Sequence, residues 1–393
     1  MSTNRYWATG PLGALVSRSG DEMAATAILL FALVAGAEGG TIVGAMSLMA
    51  AIGGPLLGVV LDRSRSILPF VLYLVCCAAA VALVGVAIGW GAHLLAILLA
   101  AVAGLFVPAV SAGWSTILRD PDPERSRRLS VVDAATYSVS ALGGPALAGA
   151  IYLVAGEVAA LGTAVALIAA GAIFAPFAHR RPEPAPDTVL RHPLRDILDG
   201  VLEIGRNPRL RSATVATCLA FGGFGMLVVE IPLIGAERLG DAGYGPMLLA
   251  VVAGSALAAN AVVDRIGALR RPHVVLTVAS ALMGVGILLF APSLSPVGAI
   301  VAAVVFGLGD GPQLSSIIHI RHRESPAHLR AQIFTTGASL KIASWGLGAI
   351  LAAALGGLGI TGVLVIAAGI HVVAALIAAS SWDPRVPTPT SAN

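Results

Sequence analysis

Residues 58–65 read GVVLDRSR, a charged turn between two long apolar runs. Asp62, Arg63 and Arg65 must stay in water while the segments on both sides avoid it. The turn recurs once, as Asp264-Arg265-Ile266-Gly267, 202 residues further on. The same offset superposes Arg63 on Arg265, Arg119 on Arg321, Arg128 on Arg330 and Gly144 on Gly346. A single ungapped shift thus aligns a charged turn, a basic loop and a small-residue helix. The chain reads as two copies of one unit.

Working outward, 57% of the 393 residues are apolar and only 11% are charged, with a mean hydropathy of +0.89. A soluble domain carries about 25% charged residues, so there is too little polar surface here to face water. Runs of about 20 apolar residues cross a bilayer as helices, because backbone groups in lipid must bond within their own segment. Twelve such runs lie near 12–35, 39–61, 67–89, 92–117, 131–154, 157–178, 212–235, 244–263, 272–291, 296–318, 331–356 and 359–381. They predict an all-α membrane protein in four parts: a six-helix bundle over 1–178, a linker over 179–211, a second bundle over 212–381 and a disordered tail over 382–393. Arg18, Asp21 and Glu22 interrupt the first run, unlike the unbroken core of a secretory signal. In the linker, Leu194, Ile197, Leu198, Val201 and Leu202 fall at helical spacing between charges, predicting an amphipathic helix on the membrane surface.

The net charge of +3 could suggest a nucleic-acid partner, but the placement of the charge argues for membrane orientation instead. Of 24 basic residues, Arg18 and Lys341 fall inside spans, Arg238 falls in an outer loop, and the other 21 lie in inner loops or tails. That bias places both termini in the cytoplasm, with lipid as the surrounding partner and no nucleic acid. Cys76, Cys77 and Cys218 lie in predicted spans without metal spacing. They read as small packing residues, so no metal is expected.

Charges inside spans are costly and point to function. The first span must start near Leu12 to be long enough, which places Arg18, Asp21 and Glu22 within it. Arg18 stands three and four residues before the two acids, so a pair on one helix is expected, with one carboxylate left over to titrate toward a cavity. Glu230 lies toward the outer end of span seven. Asp310 sits mid-span in GLGDGPQ, with Gln313 one turn on. Lys341, the single lysine, is about ten residues into span eleven, either paired with an acid or facing a wet cavity. His319 reads as interfacial. Pro108, Ser111, Ala112 and Gly113 predict a kink in span four.

Gly58-x-x-x-Asp62-Arg63 followed by Arg65, in the turn after span two, resembles the signature loop of the major facilitator superfamily. The glycine usual after Asp-Arg is replaced by Ser64. In the second copy Asn260 replaces the first glycine, while Asp264, Arg265 and Gly267 fit. Gly144-Pro145-x-x-Ala148-Gly149 in span five resembles part of the antiporter signature of exporters, with Ser140 and Ala148 at two expected glycines. DGVLEIGRNPRLR, residues 199–211, is similar to the central loop of the enterobactin-exporter and macrolide-efflux branch. The resemblance implies the major facilitator fold, two pseudo-symmetric six-helix bundles that rock around a midplane site. In that arrangement spans one, four, seven and ten line the cavity, which places Asp21, Glu230 and Asp310 around one space. The Asp-Arg turns become gates, against a plainer reading as basic anchors. The implied protein is a monomeric secondary transporter of the plasma membrane, powered by the proton gradient and without a cofactor. Its expected work is export of a small, largely apolar molecule such as a drug, antibiotic or siderophore. The alternative is a nutrient importer or an uncoupled facilitator. An enzyme is not expected, since His-x-x-x-His, paired catalytic acids and Gly-x-Ser-x-Gly are all missing.

Overall fold

The computed structural model describes residues 3–63, 66–118, 122–178, 193–292, 295–326 and 329–380. Among these there is no strand. The first half comprises α1 (Thr3–Ala35), α2 (Gly39–Arg63), α3 (Leu68–Gly89), α4 (His93–Pro108), α5 (Trp114–Ile117) and α6 (Pro123–Ala178). After α7 (Pro193–Arg206) come α8 (Pro208–Ile234), α9 (Tyr244–Arg265), α10 (Pro272–Phe290), α11 (Pro296–Glu324), α12 (Arg330–Ala354) and α13 (Gly359–Ser380). The duplication is visible in the helix ends: Arg63 closes α2 as Arg265 closes α9.

Local chemistry sets the boundaries. Proline opens α8, α10 and α11, where its missing N–H costs nothing. Asn207 caps α8 by accepting from the N–H groups of Arg209 at 3.0 Å and Leu210 at 3.3 Å. The turn between spans five and six shrinks to one residue, Gly156, whose φ of 81° breaks α6 into two arms. A side chain there would meet the left-handed penalty, which glycine escapes. Gly267 in the second charged turn likewise needs its φ of 64°.

By length and apolarity nine helices among the described residues can cross a membrane. α1 falls short only because it holds Arg18, Asp21 and Glu22, and α6 counts once although it makes two crossings. Small residues let the helices close on one another within each half: a Cβ on Gly20 would lie 2.6 Å from the Ala164 carbonyl, and one on Gly53 2.5 Å from that of Leu105. Span four is bent as expected. A widened π turn over Ala109–Gly113 follows Pro108 and joins α4 to α5.

α7 meets the second half through small residues and Ile204. It seats Gly200 against α12, where a Cβ would stand 2.7 Å from Thr336 Oγ1. It also buries Ile204 among Leu210, Leu276 and Ile333, while Val201 and Leu202 are exposed. Val201 and Leu202 thus point away from the bundle, the side an amphipathic helix offers to a membrane surface. Leu194, Ile197 and Leu198 have side chains outside the described set.

Candidate transport site and gate

Arg18 does not pair with Asp21 or Glu22 on its own helix. Its Nη1 donates to Asp133 Oδ1 on α6 at 2.6 Å and to the Asp133 carbonyl at 3.3 Å. Nη2 donates to the Ser111 carbonyl in the π turn at 2.9 Å and to Ser115 Oγ at 3.2 Å. Thr136 Oγ1 accepts a further bond, and the Tyr137 ring lies over the guanidinium at 3.6 Å. Ser115 in turn donates to Asp133 Oδ2 at 2.6 Å. The physical reason is geometric. The donors on both Nη atoms are satisfied better by acceptors converging from α6, α5 and the π turn than by one carboxylate on the next turn, although Nε stays buried without a bond. Asp133 is the residue that sequence reasoning passed over. The available signal was a lone acid inside predicted span five, opposite in sign to Arg18.

Among the described residues neither Asp21 nor Glu22 forms an ion pair with Arg18, although Asp21 stays near enough to feel its charge. Glu22 is exposed, yet its backbone is clamped: a Cβ on Gly144 would collide with Glu22 Cβ and lie 3.2 Å from the Met23 nitrogen. In the second half, Asp310 and Lys341 face each other electrostatically from α11 and α12, but no ion pair within 4 Å joins them among the described residues. Lys341 Nζ sits 4.1 Å from the centre of the Phe221 ring on α8. Glu230 is buried at the far end of α8, with Glu237 and Arg238 as its charged neighbours. Gln313 turns away from these groups. It is fully buried and donates to Ser280 on α10 at 3.4 Å. His319 is exposed, as an interfacial residue would be, with Nδ1 3.0 Å from the Ser315 carbonyl.

The two halves meet along two glycine seams. In the first, a Cβ on Gly44 of α2 would lie 2.7 Å from the Gly346 carbonyl of α12, and one on Gly346 2.7 Å from the Gly44 carbonyl. In the second, Gly149 of α6 and Gly243 before α9 abut in the same reciprocal way, with a Cβ on Gly243 2.8 Å from the Gly149 carbonyl. Both seams lie at the end opposite the basic loops. No such glycine-on-carbonyl approach joins the halves at the basic end among the described residues. The Gly144-Pro145-Gly149 segment thus has two jobs: Gly144 receives α1 at Glu22, and Gly149 receives the second half. Gly58, Asp62 and Arg63 form the last turns of α2, and Asp264 and Arg265 end α9. Arg65 lies outside the described residues.

The chain matches the Major Facilitator Superfamily over residues 12–341. It belongs to that superfamily. A major facilitator transporter, rather than an enzyme, is what its relatives are too. An uncharacterized MFS-type transporter y4rN of Sinorhizobium fredii (strain NBRC 101917 / NGR234) is 26% identical over 388 residues, 95% of this chain and 94% of that protein. Among solved structures, a point mutant of the nucleoside transporter NupG superposes with a TM-score of 0.79 at 15% identity, covering 96% of this chain and all of the other. A bacterial homolog of the human lysosomal transporter Spinster, inward-facing and unoccupied, gives 0.66 at 14% identity, over 98% and 100%. A POT family transporter in complex with 5-aminolevulinic acid gives 0.66 at 13% identity, over 95% of each chain. At these identities the likeness is one of fold. This facilitator is a multi-pass membrane protein with two six-helix halves.

Proposed function

We propose that the protein exports a small, largely apolar molecule in exchange for protons, by alternating access, across a plasma membrane with both termini in the cytoplasm. In that orientation the glycine seams close the outer end, and the vestibule opens inward. The observation that carries the reading is the double duty of the antiporter-like segment. Glu22, whose helix partner Arg18 is engaged by Asp133, packs its Cβ and backbone against Gly144. Gly149, little more than one turn away on the same helix, forms the outer seam. A change in charge at Glu22 therefore alters packing on the element that holds the gate. Asp310, facing Lys341, supplies a second titratable group in the other half. The likeness of residues 199–211 to the enterobactin-exporter and macrolide-efflux loop supports the export direction.

The test is dye movement in proteoliposomes, using a panel of positive, neutral and negative aromatic dyes with and without an imposed pH gradient. The gradient accelerates movement in the native protein. In Glu22→Gln and Asp310→Asn that acceleration disappears while gradient-free exchange remains. Unchanged gradient dependence in both variants removes these acids from the mechanism. Movement that never responds to the gradient establishes the uncoupled alternative.

A further inference from the structure

Three charged side chains are buried among the described residues: Arg18, Glu230 and Arg321. Arg18 has Asp133, and Glu230 has the charge of Arg238 nearby. Arg321, expected as part of a basic loop, instead lies within α11 at 5% exposure. Its Nε and Nη2 are fully buried and hydrogen-bond to nothing. The neighbouring acid, Glu324, is committed elsewhere, to Arg209 at 3.6 Å and Arg323 at 3.7 Å. A guanidinium is rarely left this way, because burying an unpaired charge is far costlier than exposing it.

The surroundings are shaped to hold it. Gly337 on α12 makes the room, since a Cβ there would collide with Arg321 Nη2 and Cζ. The Phe334 ring centre is 6.0 Å from the guanidinium carbon. Lys341, one turn beyond Gly337, is close enough to feel the charge of Arg321. One hydroxyl beside these contacts is buried and unpartnered as well: Ser325, whose N–H donates to the Arg321 carbonyl at 3.1 Å. Arg321 and Asp310 are eleven residues apart, three turns, and so share one face of α11. With Asp310 set against Lys341, that face keeps one uncompensated positive charge. The unpaired carboxylates Asp21 and Glu22 belong to the other half.

We propose that Arg321 is an anion-recognition site: it binds the oxyanion of the transported molecule, a carboxylate, sulfonate or phosphate, while the molecule's apolar body lies against Phe221 and Phe334. Lys341 adds a second positive charge, and the planar fork of Arg321 matches two oxyanion oxygens at once. The cargo is then an amphipathic organic anion. This rests on the transport reading for its meaning but not for its test, which measures binding alone.

The experiment uses the full-length protein in a nonionic detergent and three probes with one ring system: 1-naphthalenesulfonate, 1-naphthylmethylammonium and 1-naphthalenemethanol. Calorimetric titration reads their affinities. The sulfonate binds at least about tenfold more tightly than the other two, as one charge-assisted contact is worth roughly ten- to a hundredfold. Arg321→Gln abolishes that preference, and Arg321→Lys restores part of it. Gly337→Ala, which displaces the guanidinium but keeps its charge, weakens sulfonate binding. No sulfonate binding, or equal binding of all three probes by the native protein, overturns the proposal without any variant having to fold. So does unaltered sulfonate binding in a folded Arg321→Gln. A repeat in nanodiscs of phosphatidylcholine and of phosphatidylglycerol separates the sources. Loss of sulfonate binding in phosphatidylglycerol alone assigns the site to a lipid headgroup and overturns the assignment to cargo; equal binding in both supports it. Should proton coupling fail while the Arg321-dependent preference holds, only the energy source is wrong.

Discussion

Replacing Asp133 by alanine leaves the Arg18 guanidinium at 2% exposure without its carboxylate. Removing one partner of a buried ion pair costs about 3–5 kcal/mol, because the remaining charge stays desolvated. Four neutral groups still accept from Arg18, the carbonyls of residues 133 and 111 and the hydroxyls of Ser115 and Thr136, which draws the expected loss to about 3 kcal/mol. A unit the size of the first half shifts by roughly 2–4 °C per kcal/mol, so the apparent Tm should fall by about 6–12 °C. The assay is fluorescence-detected size exclusion after heating in detergent, at one fixed heating time because unfolding is irreversible. The double variant Arg18→Met/Asp133→Leu removes both charges and should recover most of the loss, as apolar replacement of a buried pair is often neutral. A drop of under about 2 °C in Asp133→Ala, or losses that simply add in the double variant, would refute the reasoning. If Asp21→Ala and Glu22→Ala cost more than Asp133→Ala, then Arg18 is paired along its own helix after all.

Other outcomes follow from the same contacts. Gly44→Leu should hold the first seam apart, since even a Cβ there would lie 2.7 Å from the Gly346 carbonyl, and should slow dye movement severalfold in folded protein; a native rate means the seam is not where the structure puts it. Gly156→Ala should cost about 1–2 kcal/mol through its positive φ, read as a lower heating midpoint with the transport rate per folded molecule unchanged. Gln313→Leu should leave the apparent affinity for transported dye unchanged, because that side chain addresses Ser280; a severalfold rise in KM would show that Gln313 reaches the vestibule.

Much of the fold was legible without coordinates. The run from Leu68 to Gly89 had to be a spanning helix, and the charged turn at Asp264 had to be a place where the chain meets water. The Asp62–Asp264 offset carried the duplication. The candidate site was legible only as an inventory. Asp21, Glu22, Asp310 and Lys341 were marked by their isolation in apolar runs, but their partners were not. Arg18 looked toward Asp21 because proximity in sequence is what a sequence displays. Its true partner is 115 residues away. Arg321 looked like one more basic loop residue because α11 runs past the apolar stretch into the charged one.

What the sequence determined by itself is partition: which segments enter lipid, where they turn and how the chain repeats. Each of those follows from the transfer free energy of a local stretch of side chains, a property that needs no neighbours. Tertiary structure alone decided which buried charge meets which. Burial makes an unpaired charge so costly that its partner is chosen by distance in space, and helices from remote parts of the chain bring that distance to a few ångströms. The same packing left Arg321 Nε and Nη2 without a hydrogen bond among the described residues, which is the ground for the anion site proposed there.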